Sequence, residues 1–468
     1  MIKKILIVPF LMASLNAEGK LPQKDVKDEI KSLKEELKEL KKVQNENSTY
    51  LDELSDFTEQ IETRTLEDKL KFGLAYKFGV DNFTKKYADG TSVASNNVVS
   101  NKFMLNIKAD ILSSMKFYTR LSMYKYWGNG KSHLYSQYDN MQGRVPSTSS
   151  LFVERAYLDW FFNKDGKVPF AVTIGRQPSA DGPSQQYKDN TARKATYSAL
   201  LYDGAADGAV VTFDLSKVLK NRATYLRFGY AKGFGYAESS SDVVNAYIGA
   251  SDEALEDTNI YGVFFDTTFP GVKHSLVQFS YSKMKDIIAN QLDTNITRNV
   301  NIGDVDLYGA MIEFSNLKET NLDLFLHLGH IETSPNANEY MKYGGLLYSG
   351  EKKAKSGSAI WLGSRYAFGE GSKYKVGLEY NKGTKNWVSL TQGSFDVYNK
   401  LSTRGSAYEA YLMYVANRYT NLRVGFVNID YDYSNSGWFV GESKEIKANS
   451  QNTLESLQSI YFKMSINY

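Results

Sequence analysis

The chain has 468 residues, carries 56 Lys and Arg against 53 Asp and Glu, and contains no cysteine. A formal charge of +3 gives no support to a nucleic-acid partner, and the missing cysteines exclude thiol chemistry and a disulfide framework. No apolar run approaches the roughly 18 residues of a membrane-crossing helix, although a barrel strand needs only alternate apolar positions.

Lys3 and Lys4, the apolar stretch Ile5 to Leu15 and the small Ala17 read as a signal peptide over residues 1–17, with the mature chain starting near Glu18. From 25 to 68 the chain is rich in Lys, Glu and Leu and free of Gly. With Ile30 at heptad position a, the apolar seam runs through Val26, Ile30, Leu33, Leu37, Leu40, Leu51, Leu54 and Ile61. Such a stripe needs a second helix to cover it, which predicts an α-helical coiled coil joining subunits, with a trimer the preferred count. Gln44, Asn47 and Thr58 interrupt the seam, as polar residues that set register do.

From 69 to 468 the period changes to two. Leu70, Phe72, Leu74, Tyr76 and Phe78 alternate with Lys71, Gly73, Ala75 and Lys77. Phe117, Thr119, Leu121 and Met123 alternate with Tyr118, Arg120, Ser122 and Tyr124. Strand side chains point to opposite faces in turn, so each such segment has one apolar and one polar face. About sixteen strands are expected, near 70–78, 101–112, 115–127, 151–162, 169–176, 207–215, 222–233, 259–269, 274–285, 304–315, 320–333, 357–369, 372–385, 404–417, 420–433 and 457–468. Short connections at 113–114, 163–168, 216–221, 270–273, 316–319, 369–371 and 418–419 alternate with long ones. The long ones fall at 79–100, 128–150, 177–206, 234–258, 286–303, 334–356, 386–403 and 434–456.

A soluble sandwich also alternates. The export signal, the aromatic residues (14% of the chain) at strand ends and the short–long rhythm favour an all-β fold: an antiparallel transmembrane barrel of about 16 strands behind the coiled coil. The last strand, Ile460, Phe462, Met464 and Ile466 on one face, stops on Tyr468, like the terminal signal read by the barrel-assembly machinery. An even strand number puts both termini on the short-turn side, so the coil and Tyr468 are expected in the periplasm and the barrel in the outer membrane, against lipid and lipopolysaccharide.

The chemistry of such a barrel is its lumen. The third long connection opens on Gln177, Pro178 and Ser179 and continues through Asp181, Gly182 and Pro183, a rigid turn. General porins fold their third loop into the barrel, and that resemblance makes Arg176, Asp181, Tyr187, Lys188, Asp189, Arg193 and Lys194 the candidate constriction. By alternation Lys108, Arg120, Arg155, Asp159, Arg227, Arg365, Lys375, Glu379, Glu409 and Arg423 line the lumen. All inward positions together count ten basic against six acidic, mildly favourable to anions. No catalytic constellation, metal site or cofactor motif is found: His327 and His330 fall on opposite faces of one strand, and no nucleophile elbow or phosphate loop occurs.

The 25–65 coil, the run Ile174 to Ser179 with Asp181, Gly182 and Pro183, and Tyr202-Asp203-Gly204 through Asp207-Gly208-Ala209 resemble a porin-like outer-membrane family of unknown function from ε-type proteobacteria. The resemblance implies a coil followed by a barrel and brings no substrate with it. The expected function is passive or weakly selective diffusion of small hydrophilic solutes. A structural or adhesive protein gripping peptidoglycan through the coil is the alternative. An outer-membrane lipid hydrolase would need a Ser/His pair on the barrel exterior, where His274 is the single faint candidate.

Overall fold

A computed structural model describes residues 28, 30–45, 69–127, 151–177, 182–193, 195–202, 206–233, 258–293, 296–336, 346–347, 353–389, 398–437 and 442–468, without the side chains of 288–293 and 296–300. The chain divides at Asp68/Lys69 into two units. In the first, residues 30–45 are a helix, α1, and the seam residues Ile30, Leu33, Leu37 and Leu40 are 48–66% exposed. The rest of the expected coil and the signal peptide lie outside the described residues.

The second unit is a closed antiparallel barrel of sixteen strands, each paired with its chain neighbours. They are β1 Leu70–Tyr87, β2 Ser92–Leu112, β3 Met115–Tyr126, β4 Phe152–Phe162, β5 Phe170–Arg176, β6 Ala206–Asp214, β7 Tyr225–Gly233 and β8 Asn259–Thr267. The second half comprises β9 Ser275–Asp293, β10 Ile296–Phe314, β11 Leu322–Pro335, β12 Lys355–Phe368, β13 Tyr374–Gly383, β14 Gly405–Val415, β15 Thr420–Tyr431 and β16 Leu454–Asn467. The ring closes between β16 and β1, in a register that sets Asn467 opposite Ala75.

Two of the expected long connections are absent. Residues 79–100 are mostly the upper halves of β1 and β2, joined by a turn at Tyr87 to Thr91, and 286–303 are mostly the upper halves of β9 and β10. The alternation fails there because the outer face turns polar: Asn82, Thr84 and Lys86 follow Val80 on β1, and Lys283 pairs with Asp306 across β9 and β10. Phe83, Ile287 and Val305 keep the inner face partly apolar there, so the contrast between an apolar and a polar face is lost.

The outer wall is apolar. Phe72 (65%), Leu378 (58%) and Ile460 (64%) are exposed, with Leu74, Val424 and Phe426 beside them. Aromatic rings form two rows on this face. Near the short turns run Trp160–Phe162–Phe170–Phe213, Phe269–Phe314 and Phe368–Tyr374–Tyr414. Nearer the long connections are Tyr230–Tyr261, Tyr281–Tyr308 and Tyr380–Tyr408. Tyr374 to Tyr380 on β13 is about 20 Å along the strand. Among the described residues no helix is long and apolar enough to cross a membrane.

The inner wall is packed with side chains. Its glycines are covered by rings: a Cβ at Gly377 or Gly425 would overlap Tyr411 or Tyr461. An aromatic folded over a strand glycine fills the gap and protects the ladder beneath it.

Candidate functional site

The third long connection turns into the barrel. A short helix, α2 (Gln185–Asp189), ends on Asn190 in the left-handed conformation (φ 52°), which asparagine tolerates better than most residues. Gln185, Gln186, Tyr187 and Lys188 are all buried against the inner wall.

Each residue of this segment meets a named wall residue. Gln186 donates from Nε2 to both carboxylate oxygens of Glu313 at 3.1 Å, and Ser184 donates to the same carboxylate. The Tyr187 ring stacks on Phe325 at 5.9 Å, and its hydroxyl meets Ser315 at 2.8 Å. Arg365 lies over that ring, donates to the Tyr187 carbonyl at 2.6 Å and pairs with Asp323 at 2.7 Å. Lys188 reaches Glu409 at 3.2 Å, and Arg423 donates to the Lys188 carbonyl. Asp189 accepts from Lys77 at 2.7 Å and lies 3.5 Å from Arg423. Asn190 bonds Asn421 at 2.9 Å and accepts from Lys375 at 2.5 Å. Gln278 donates to the Thr196 carbonyl at 2.7 Å, and Arg193 lies 3.8 Å from Asp266. These contacts run to β1 and to β8–β15. Burial pushes the Tyr187 phenol up, with the charge of Glu313 adding to the effect, so the hydroxyl stays protonated.

Two further connections come inward beside it. Leu200 and Leu201, Leu346 and Leu347, and Trp387, Val388 and Leu401 share one buried cluster with the wall residues Met284, Leu307, Phe325 and Trp361. Lys400 is 2% exposed and bridges Glu379 (2.5 Å) and Glu409. Arg404 donates to the carbonyls of Trp387 (2.8 Å) and Ser434 (3.2 Å). Burial lowers its pKa to about 9, which leaves it charged at neutral pH.

The lumen-lining candidates Lys108, Arg120, Arg155, Asp159, Arg227, Arg365, Lys375, Glu379, Glu409 and Arg423 share the inner face. Many are paired across strands: Lys108 with Asp110 (3.4 Å), Arg227 with Asp266 (2.6 Å), and Asp159 with the Thr173 hydroxyl (2.6 Å). Of the constriction candidates, Tyr187, Lys188 and Asp189 come together against the wall. Arg193 stands at its edge, about a third exposed, and Asp181 and Lys194 lie outside the described residues.

Arg176 is a correction. It shares a face of β5 with Ile174, which is 51% exposed, whereas Thr173 faces Asp159 inside. Arg176 therefore points outward, where it pairs with Asp207 at 3.0 Å. Its place beside the third connection in sequence says nothing about strand parity, and parity decides the face.

Alternation misses Glu154. A register shift between Arg120 and Leu121 on β3 leaves Glu154 as an extra residue on β4. Both Glu154 and Arg155 then face inward, and Glu154 meets Lys102 at 3.1 Å, Arg120 at 3.3 Å and the Ser122 hydroxyl. Asp81 and Asp266 are missed because their strands run past the predicted apolar run or carry a weak period. Lys400 lies in a connection and has no period at all.

His327 is fully buried between two serines: Ser184 is 2.8 Å from Nε2 and Ser198 is 2.6 Å from Nδ1. Glu313 binds the serine and not the second ring nitrogen, where a relay would require it. His330 sits on the opposite face with Ser358 at 2.8 Å. No group of three metal-ligating side chains occurs among the described residues.

The family described as "Protein of unknown function (DUF3373)" matches residues 92–468. None of the curated proteins matches the chain. Among solved structures, the complex of Salmonella typhi OmpF with daunomycin is 10% identical, with 86% of this chain and 99% of that one covered and a TM-score of 0.48. The anion-selective porin from Comamonas acidovorans is 11% identical (85% and 99% covered, TM-score 0.48). The high-pH structure of Pseudomonas putida OprB is 11% identical (87% and 96% covered, TM-score 0.47). Likeness at this level carries no information on what passes through a barrel.

Proposed function

This chain belongs to the family described as protein of unknown function (DUF3373), and we propose that it is an outer-membrane porin, passing small hydrophilic solutes through a lumen narrowed by its third long connection. One observation carries the reading. The same strands are apolar and aromatic-belted outside and ionised inside, in a ring with no free edge. An outer wall of this kind is stable against hydrocarbon, and an inner wall of this kind is stable against water. In this reading the short turns, both termini and α1 are periplasmic, and lipopolysaccharide surrounds the opposite rim. The exposed stripe of α1 joins three copies in a coiled coil, and the coil is the part suited to contact peptidoglycan.

The docked segment meets β1 and β8–β15, so in this reading the passage runs on the β2–β4 side. Lys108 and Lys116 stand there, partly exposed, against Asp110 and Asp159, and Lys102 and the buried Arg120 and Arg155 pack around Glu154, an excess of positive charge that favours anions.

Full-length protein in planar bilayers tests the proposal. Discrete channels with a reversal potential on the anion side in a salt gradient are expected. Neutralising Arg193 and Lys194 should move that potential toward cations; no shift would remove the third connection from the selectivity argument. A folded protein that never conducts would overturn the porin reading.

A further inference from the structure

Glu379 and Glu409 stand directly opposite one another on β13 and β14, both pointing inward and both about 5% exposed or less. Like charges at facing positions repel, and burial strengthens the repulsion. Two ammonium groups relieve it, and neither comes from the wall. Lys400, on the seventh connection, bridges both carboxylates. Lys188, on the third, reaches the same Glu409 oxygen at 3.2 Å. Two wall groups add to this: Trp361 Nε1 donates at 3.1 Å to the Glu379 oxygen that Lys400 already binds, and the Tyr461 hydroxyl donates to the second oxygen of Glu409 at 2.5 Å, while the other oxygen of Glu379 is buried without a hydrogen bond.

The two connections also share an apolar seat. Leu200, Leu201 and Ala199 of the third belong to one buried cluster with Trp387, Val388 and Leu401 of the seventh. Between them Ser389 donates to the Leu200 carbonyl. A wall that keeps two carboxylates face to face is therefore complete only when both connections are in place.

We propose that the Glu379–Glu409 pair is a positioning element that couples the third and seventh connections, so that the width of the passage is set by the two seated together. Withdrawal of either lysine leaves buried negative charge that weakens the seat of the other connection. The inference deepens the porin reading, since it names the residues that hold the constriction, but the coupling can be measured whether or not the barrel conducts.

The absence of cysteine makes the test clean. Ala199→Cys places a single thiol at a fully buried position of the third connection. In full-length protein it should resist a polar maleimide. Adding Lys400→Met, a change on the other connection, should raise the labelling rate at least tenfold, and Lys400→Arg should restore protection. Glu379→Gln, which leaves Lys400 its bond to Glu409, should give a smaller rise and serves if Lys400→Met does not fold. In bilayers, Lys400→Met should also change single-channel conductance. Unchanged labelling in both Lys400→Met and Glu379→Gln would overturn the coupling, even in a protein that forms good channels. Altered labelling in a protein without channels would sustain the coupling and reject the porin reading.

Discussion

Tyr468 and Leu74 exchange both backbone hydrogen bonds, at 2.7 and 2.9 Å, so the last residue of the sequence fastens the last strand to the first. The Tyr468 ring packs on Tyr419, 5.3 Å away across the turn before β15. The pairing of β16 with β1 thus extends to Tyr468.

Removing Tyr468 should deprive the closing pair of its terminal bonds and its ring contact. The fraction of protein reaching the heat-modifiable, folded form in outer membranes should fall severalfold. Tyr468→Phe, which keeps the ring, should assemble normally. Equal assembly of the truncated and full chains would show that closure does not depend on this residue.

Glu154 is the carboxylate shared by Lys102, Arg120 and the Ser122 hydroxyl. Glu154→Gln leaves buried cations with less compensation, a loss of about 3 kcal/mol in unfolding free energy for a broken buried pair. Urea unfolding monitored by tryptophan fluorescence would check it. The reversal potential should shift further toward anions at the same time.

Gly377 and Gly425 lie beneath the rings of Tyr411 and Tyr461. Valine at either position should displace the ring and cost about 1–3 kcal/mol, the usual penalty of overpacking. Ala410→Val, on the exposed outer face of β14, should change stability by less than about 0.5 kcal/mol. Parallel denaturation curves of the three variants would separate the two faces.

Leu37, 56% exposed on α1, lies in the middle of the apolar stripe. If that stripe joins subunits, Leu37→Glu should convert the oligomer to monomers in mild-detergent cross-linking while the conductance of each channel persists. An unchanged oligomer would move the subunit contact elsewhere.

Much of the barrel was legible in the sequence because strand faces obey a local rule. Period-two alternation assigned Lys108, Arg120, Glu379, Glu409 and Arg423 to the polar face, and in the structure Glu379, Glu409 and Arg423 are buried beside the docked connections. The same rule kept His327 and His330 apart. It failed wherever the outer face stopped being apolar, as in the upper halves of β1, β2, β9 and β10, and wherever an extra residue shifted parity, as at Glu154.

What the sequence by itself determined was which residues could face water or hydrocarbon, since that depends on each side chain and its immediate neighbours. What only the tertiary structure decided was which charges meet. Lys188 and Glu409 are 221 residues apart, and Lys463 and Asp81 are 382 apart. Contacts of that span arise when the ring closes and the connections fold into it, and no local period records them. The bridging role of Lys400 belongs to the same class: it depends on where the backbone is carried by strands that the sequence near it does not contain.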